Sequence, residues 1–211
     1  MDVLSEVIRM VRVGSVGSRL IRQTDSRGLR FPGFDGSGFH ILVHGTCWLI
    51  SEDRPVRLNP GDIVLASAGA QHGLARTRRS LAELPSWAMG PIPPAVGPCD
   101  FEFLCGAYRL EHGRVPQYLR ALPDLIVVSP DYDRYPELRA LVELLKAEAG
   151  RAQPGSGATV RSLLDLILVQ VLRQWHDQHE TPPGHRRSGD RRRAAADPRT
   201  PGAPVDRRRA G

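Results

Sequence analysis

Between residues 16 and 130 the chain is interrupted by glycine- or proline-bearing turns roughly every 8–12 positions, and the apolar runs between them are too short for helices. VGSRLIRQT (16–24) and GLRF (28–31) come first, then FHILVHG (39–45) and TCWLISED (46–53) on either side of Gly45. PVRLNPGDIVLAS (55–67) turns at Asn59-Pro60-Gly61, and AQHGLAR (70–76) follows Gly69. DFEFLCGAYRLE (100–111) and LPDLIVVSP (122–130) complete the set. Short strands joined at this rhythm close into a sandwich or a barrel. The Pro- and Gly-rich stretch 85–100 reads as a surface loop between strands.

Helical periodicity flanks this region. Leu4, Val7, Ile8 and Val11 predict a short helix over residues 2–11, ended by Gly14. PELRALVELLKAEAG (136–150) starts on a proline, ends on a glycine and places Leu138, Leu141, Val142 and Leu145 on one face. GATVRSLLDLILVQVLRQW (157–175) carries a longer stripe: Val160, Leu163, Leu164, Ile167, Leu168, Val171, Leu172 and Trp175. Leu166 and Val169 widen it beyond what one barrel face covers, so a homodimer through Leu164, Leu168, Val169 and Leu172 is expected. The expected organisation is a ligand-binding barrel over 1–130, a two-helix dimerisation appendage over 131–179, and a disordered Arg-, Pro- and Gly-rich tail over 180–211.

Composition narrows the function. The formal net charge of +6 is placed unevenly, with nine Arg against five acidic residues over 177–211. The basic balance therefore belongs to the tail and does not mark a nucleic-acid face on the body. No apolar run reaches the length of about 18 residues needed to span a membrane, and the N-terminus lacks the pattern of a secretion signal, so a cytoplasmic location is expected. Cys47, Cys99 and Cys105 have no metal or disulfide spacing and read as free thiols.

Pro60-Gly61-Asp62, the apolar strand after it, and Gly69-x-x-His72 resemble the second cupin motif, with Ser67 where that family usually has Pro. Gly45 matches the glycine closing the first motif. LRFPGFDGSGFHILVHGTCWL, LCGAYRLE, ALPDLIVV and the two helices together resemble the cupin-type ligand-binding domain of AraC-type transcription regulators, over about residues 2–176. The resemblance implies a mainly β fold with an α appendage: a jelly-roll barrel with a short N-terminal helix and two C-terminal helices. It implies small-molecule sensing rather than catalysis, with an organic effector as partner. Metal-binding cupins carry an H-x-H and a Glu in the first motif; here Gly38 stands at the Glu position and Phe31-Pro32-Gly33-Phe34 in the H-x-H region, so no metal and no cofactor is expected. The apolar periodicity of a helix-turn-helix is missing after residue 180, so the expectation is a truncated regulator that binds no DNA specifically by itself. The rival readings are a metal-dependent cupin enzyme, a dioxygenase or isomerase, and a folded remnant without function.

Alternation along 39–44 sets His40, Leu42 and His44 on one strand face, with Phe39, Ile41 and Val43 on the other. His40 and His72 approach each other across the barrel if the cupin register holds. Three roles stay open for them: hydrogen-bonded histidines lining a polar cavity, contacts to an organic effector, or a weak metal site. His40, His72, Leu42 and Trp48 are the candidate effector-binding residues. Trp48 and Trp87 either stack on a ligand or pack. Asp62 reads as a turn-former, and Arg76, Arg78 and Arg79 as a solvated strand end.

Overall fold

A computed structural model describes residues 15–24, 27–87, 98–109, 117–149 and 153–180. The expected helix over 2–11 and the tail beyond 180 lie outside the described residues. Among the described residues nine strands form in chain order: β1 (Ser15–Gln23), β2 (Leu29–Phe31), β3 (Gly36–Gly45), β4 (Cys47–Ile50), β5 (Val56–Leu58), β6 (Ile63–Ala66), β7 (His72–Ala75), β8 (Phe101–Arg109) and β9 (Leu125–Val128). They make two antiparallel sheets, a five-stranded one ordered β1-β8-β3-β6-β9 and a four-stranded one ordered β2-β7-β4-β5. Three helices are described: α1 (Gln117–Ala121), α2 (Pro136–Ala149) and α3 (Ser156–Glu180).

The period of two in the strands distributes side chains between two cores. Ile21, Leu42, Val64, Leu74, Phe101 and Phe103 point between the sheets. Phe39, Ile41, Ile63, Leu65, Leu104, Tyr108, Ile126 and Val128 take the other face of the large sheet, where helices cover them. A sheet buried on both faces needs apolar residues at successive positions, which is why β3 and β6 read as continuous runs rather than as alternating ones.

Helix α3 lies across this outer face, with Leu164, Ile167, Leu168 and Val171 against Phe39, Ile63 and Leu65. Leu138, Val142 and Leu145 of α2 join the same cluster. This corrects the reading of the stripe as surplus surface: Leu164, Leu168 and Leu172 are at most 5% exposed within a single chain. The sheet and α2 flank α3 on two sides and bury the central stripe, but not the residues that widen it. Val169 is half-buried, and Leu166 is 51% exposed. The helices share one core with the barrel. α1 had no counterpart in the sequence reading; it buries Leu119 in the same cluster.

The turns follow the sequence. Asp62 accepts a hydrogen bond from the Asn59 amide at 2.7 Å, closing the turn that contains Gly61 at φ 95°. Ser67, in the place of the family's proline, donates from its hydroxyl to the Pro123 carbonyl at 2.7 Å and ties β6 to the segment before β9. His44 departs from the expected alternation. A register shift between Leu42 and His44 breaks the period of two, and His44 is exposed.

Candidate functional site

A cavity of about 250 Å³ opens between the two sheets. Gly38 and His40 of β3 line one wall together with Cys105, Gly106 and Ala107 of β8. Facing them are His72 at the start of β7, the Phe31-Pro32-Gly33-Phe34 segment, and Trp87. The segment that lacks metal-ligating atoms is thus the cavity's apolar wall. It is anchored where the Phe34 amide donates to the Gly69 carbonyl at 3.0 Å. Gly69 has φ 67°, and a Cβ there would collide with the Phe34 carbonyl, so glycine is required.

His40 and His72 come from different sheets and meet Nε2 to Nε2 at 2.7 Å, both at most 3% exposed. His72 Nδ1–H donates to the Ala70 carbonyl at 2.6 Å. With that proton on Nδ1, the neutral His72 ring offers a bare Nε2, so His40 must donate Nε2–H to it. His40 Nδ1 is left as a bare acceptor, buried and without a partner among the described residues. Burial holds the His40 pKa well below the usual histidine range, and repulsion from His72 adds to it. Burial also lowers His72, against the opposing effect of its bond to Ala70. Both rings are neutral near pH 7. Phe31 packs on the two, its ring centroid 4.4 Å from His40 and 5.3 Å from His72, while Phe103 meets His40 edge-on at 5.4 Å. Burial pushes the Cys105 thiol up to about 12, so it stays protonated. All three cysteines are free.

The metal held by metal-binding cupins does not fit this donor set. Two Zn–N bonds of about 2.0–2.1 Å at a tetrahedral angle need the nitrogens about 3.3 Å apart. Here the two Nε2 atoms are hydrogen-bonded to each other, and His72 Nδ1 is occupied by a carbonyl. Among the described residues, no group of three or more His, Cys, Asp or Glu side chains is placed to hold a metal ion.

Two of the four candidate effector-binding residues line the cavity and two do not. Leu42 points inward one register step beyond His40 and is part of the solid core with Phe103 and Val64. Trp48 occupies an outward position of β4, since Cys47 and Leu49 point in. Its ring carries the Arg78 guanidinium at 4.1 Å and the Arg57 guanidinium at 5.8 Å. Trp87 does line the cavity, 6.0 Å from the Phe31 ring. Phe34, Cys105 and the small residues of β8 carry no such signal in the sequence: the pairing of β8 with β3 brings the β8 residues to the cavity, and the bond to Gly69 brings Phe34. A second concavity, of about 370 Å³, lies between the Pro60–Gly61 turn and α2. Its charged side chains have partners: Lys146 bonds Glu143 at 3.0 Å, and Arg139 lies 5.3 Å from the Tyr132 ring centroid.

The model of a cupin family matches residues 2–177. The chain belongs to the cupin family. It is also similar to an uncharacterized HTH-type transcriptional regulator of Haemophilus influenzae, 22% identical over 143 residues, which is 64% of this chain and 45% of that protein. The chain thus spans less than half the length of this curated relative. Among solved structures it is similar to unsaturated fatty acid-bound wild-type ToxT from Vibrio cholerae, with a TM-score of 0.43, 9% identity, and 80% of this chain and 56% of that one covered. An apo ToxT variant from the same organism gives a TM-score of 0.42 at 10% identity, over 80% of this chain and 58% of that one. Among the described residues, no helix of this cupin is long and apolar enough to cross a membrane.

Proposed function

We propose that this cupin is the effector-sensing domain of an AraC-type transcription regulator, binding a small organic molecule between its sheets and relaying occupancy to α3. The observation that carries the reading is that β3 and β8 line the cavity with one face and support the helices with the other. Phe39 and His40 are neighbours in sequence; one packs under α3 and the other lines the cavity. On β8, Gly106 lines the cavity while the Phe39 ring lies where its Cβ would be. Two residues on, the Tyr108 hydroxyl donates to Asp165 of α3 at 3.4 Å, in a buried contact. A molecule that parts the walls moves strands on which α3 is seated, which is how differential binding biases a two-state element. The likeness to an HTH-type regulator supports the regulatory role.

Catalysis is the weaker reading. Among the described residues the cavity's titratable groups are two neutral histidines bonded to each other and a thiol held protonated, and no three ligating side chains are placed to hold a metal. The test uses Trp175, half-buried on α3. In a Trp48→Phe, Trp87→Phe variant it is the sole tryptophan. Small uncharged aromatics that raise the melting temperature should also shift Trp175 emission. Binders that stabilise the protein yet leave that emission unchanged would overturn relay through α3.

A further inference from the structure

Along the inner face of β3 the side chains shrink from one end of the barrel to the other. Leu42 is paired with Phe103, and His40 lies between Cys105 and Val64. Gly38 lies between Ala107 and Ala66, so three adjacent strands carry nothing longer than a methyl group at that level. The level of Leu42 is solid core, whereas the cavity of about 250 Å³ runs over the other two. Gly38 keeps the last level open. Its φ lies outside the left-handed region, and a Cβ there would meet nothing closer than the Phe34 ring at 3.5 Å. Neither backbone strain nor a clash therefore demands glycine at this position, and the missing side chain leaves room in the cavity.

The walls carry no charge. Among the described residues no Lys, Arg, Asp or Glu lines the cavity, His40 and His72 are neutral and bonded to each other, and Cys105 stays protonated. An ion entering would lose its hydration with no counter-charge to replace it, which is a heavy cost. Phe31, Phe34 and Trp87 offer aromatic walls. A dry cavity of about 150 Å³ takes benzene, so one of about 250 Å³ has room for roughly ten non-hydrogen atoms.

We propose that Gly38 is the size-determining residue of a site for an uncharged aromatic molecule of roughly ten non-hydrogen atoms, held between the Gly38–Ala107 level of the large sheet and the Phe31, Phe34 and Trp87 walls. This rests on the sensing function proposed above and names the class of its effector and the residue that limits its size.

Three probes of the same size and shape separate charge from fit at pH 8: 4-methylacetophenone, 4-methylbenzoate and 4-methylbenzamidinium. Trp87 reports binding in a Trp48→Phe, Trp175→Phe variant, where it is the sole tryptophan. The ketone should quench Trp87 emission saturably and bind about a hundredfold or more tightly than either ion. Gly38→Val in that background should weaken the ketone about tenfold or more while the melting temperature holds or rises, because the added side chain fills the ligand's place and suits a strand. Gly38→Ala adds only a methyl at ordinary contact distance, so it should keep the fold even if the valine variant does not, and should give a smaller loss. Unchanged affinity for the ketone in these Gly38 variants would overturn the role of Gly38. Binding of either ion as tight as that of the ketone would overturn the uncharged class while leaving a sensing cavity in place. Failure of all three probes to quench Trp87 at millimolar concentration would overturn the aromatic site, whereas the sensing function fails separately, when stabilising binders leave Trp175 emission unchanged.

Discussion

The two faces of the five-stranded sheet are built from alternate residues of the same strands, yet they do different work. Under the helices Phe39, Ile41, Leu104 and Tyr108 meet α2 and α3 in a packed apolar cluster. Between the sheets His40, Gly38, Cys105 and Ala107 leave a cavity of about 250 Å³. The outer face fixes the fold, and the inner face gives up packing for a site. Because the period is two, no strand separates the functions, and a change on one face is felt one residue away on the other.

Substitution on the outer face should have the largest effect. Leu168→Ala removes a side chain buried at 5% exposure and should lower stability by about 2–5 kcal/mol, read by denaturant melts. Gly106→Val places a branched side chain where the Phe39 ring lies and should cost about 1–3 kcal/mol by overpacking. Phe39→Leu in that background should recover part of the loss; full additivity of the two substitutions would deny contact between these paired positions of β3 and β8.

Effects on the inner face should be smaller and conditional. His40→Leu leaves His72 Nε2 buried without its donor and should cost about 1–3 kcal/mol, whereas His40→Leu with His72→Leu should cost less than the single change. The pH dependence separates the faces further. Both imidazoles have folded pKa values below the unfolded value near 6.5, so the unfolded chain takes up protons first as pH falls. Their contribution is complete above pH 6.5 and is lost below it, by at most about 1.4 kcal/mol per pH unit for each ring. The double Leu variant should lose that part of the acid slope, as melts from pH 8 to pH 5 would show. The smallest effect belongs to Leu166, 51% exposed on α3, where alanine should change stability by no more than about 0.5 kcal/mol.

Much of this was legible in the sequence because local rules operate there. The turns at Gly45, Gly61 and Gly69, the opposed faces of Phe39 and His40, and the stripes of α2 and α3 follow from period and backbone freedom alone. What was not legible depends on contacts distant in sequence. The burial of Leu164, Leu168 and Leu172 within one chain shows only once α2 and the sheet are both placed beside α3. Leu42 and His40 share a face, but depth within the barrel, not parity, decides which one meets the cavity. Trp48 is turned outward by the parity of Cys47 and Leu49, which a four-residue strand reveals only once it is paired with β5 and β7. Helix α1 is too short, at five residues, for any periodicity to show. The Phe31–Phe34 segment carried a signal of another kind: the place of missing ligands became the apolar wall.

Hydrogen exchange with and without a saturating small aromatic that raises the melting temperature tests sensing through the shared strands most directly. Occupancy should slow exchange in β3 and β8 and also along residues 163–172 of α3, which touch the strands only from the far side of the sheet. Protection confined to the cavity-lining strands, with α3 exchanging as in the free protein, would contradict it.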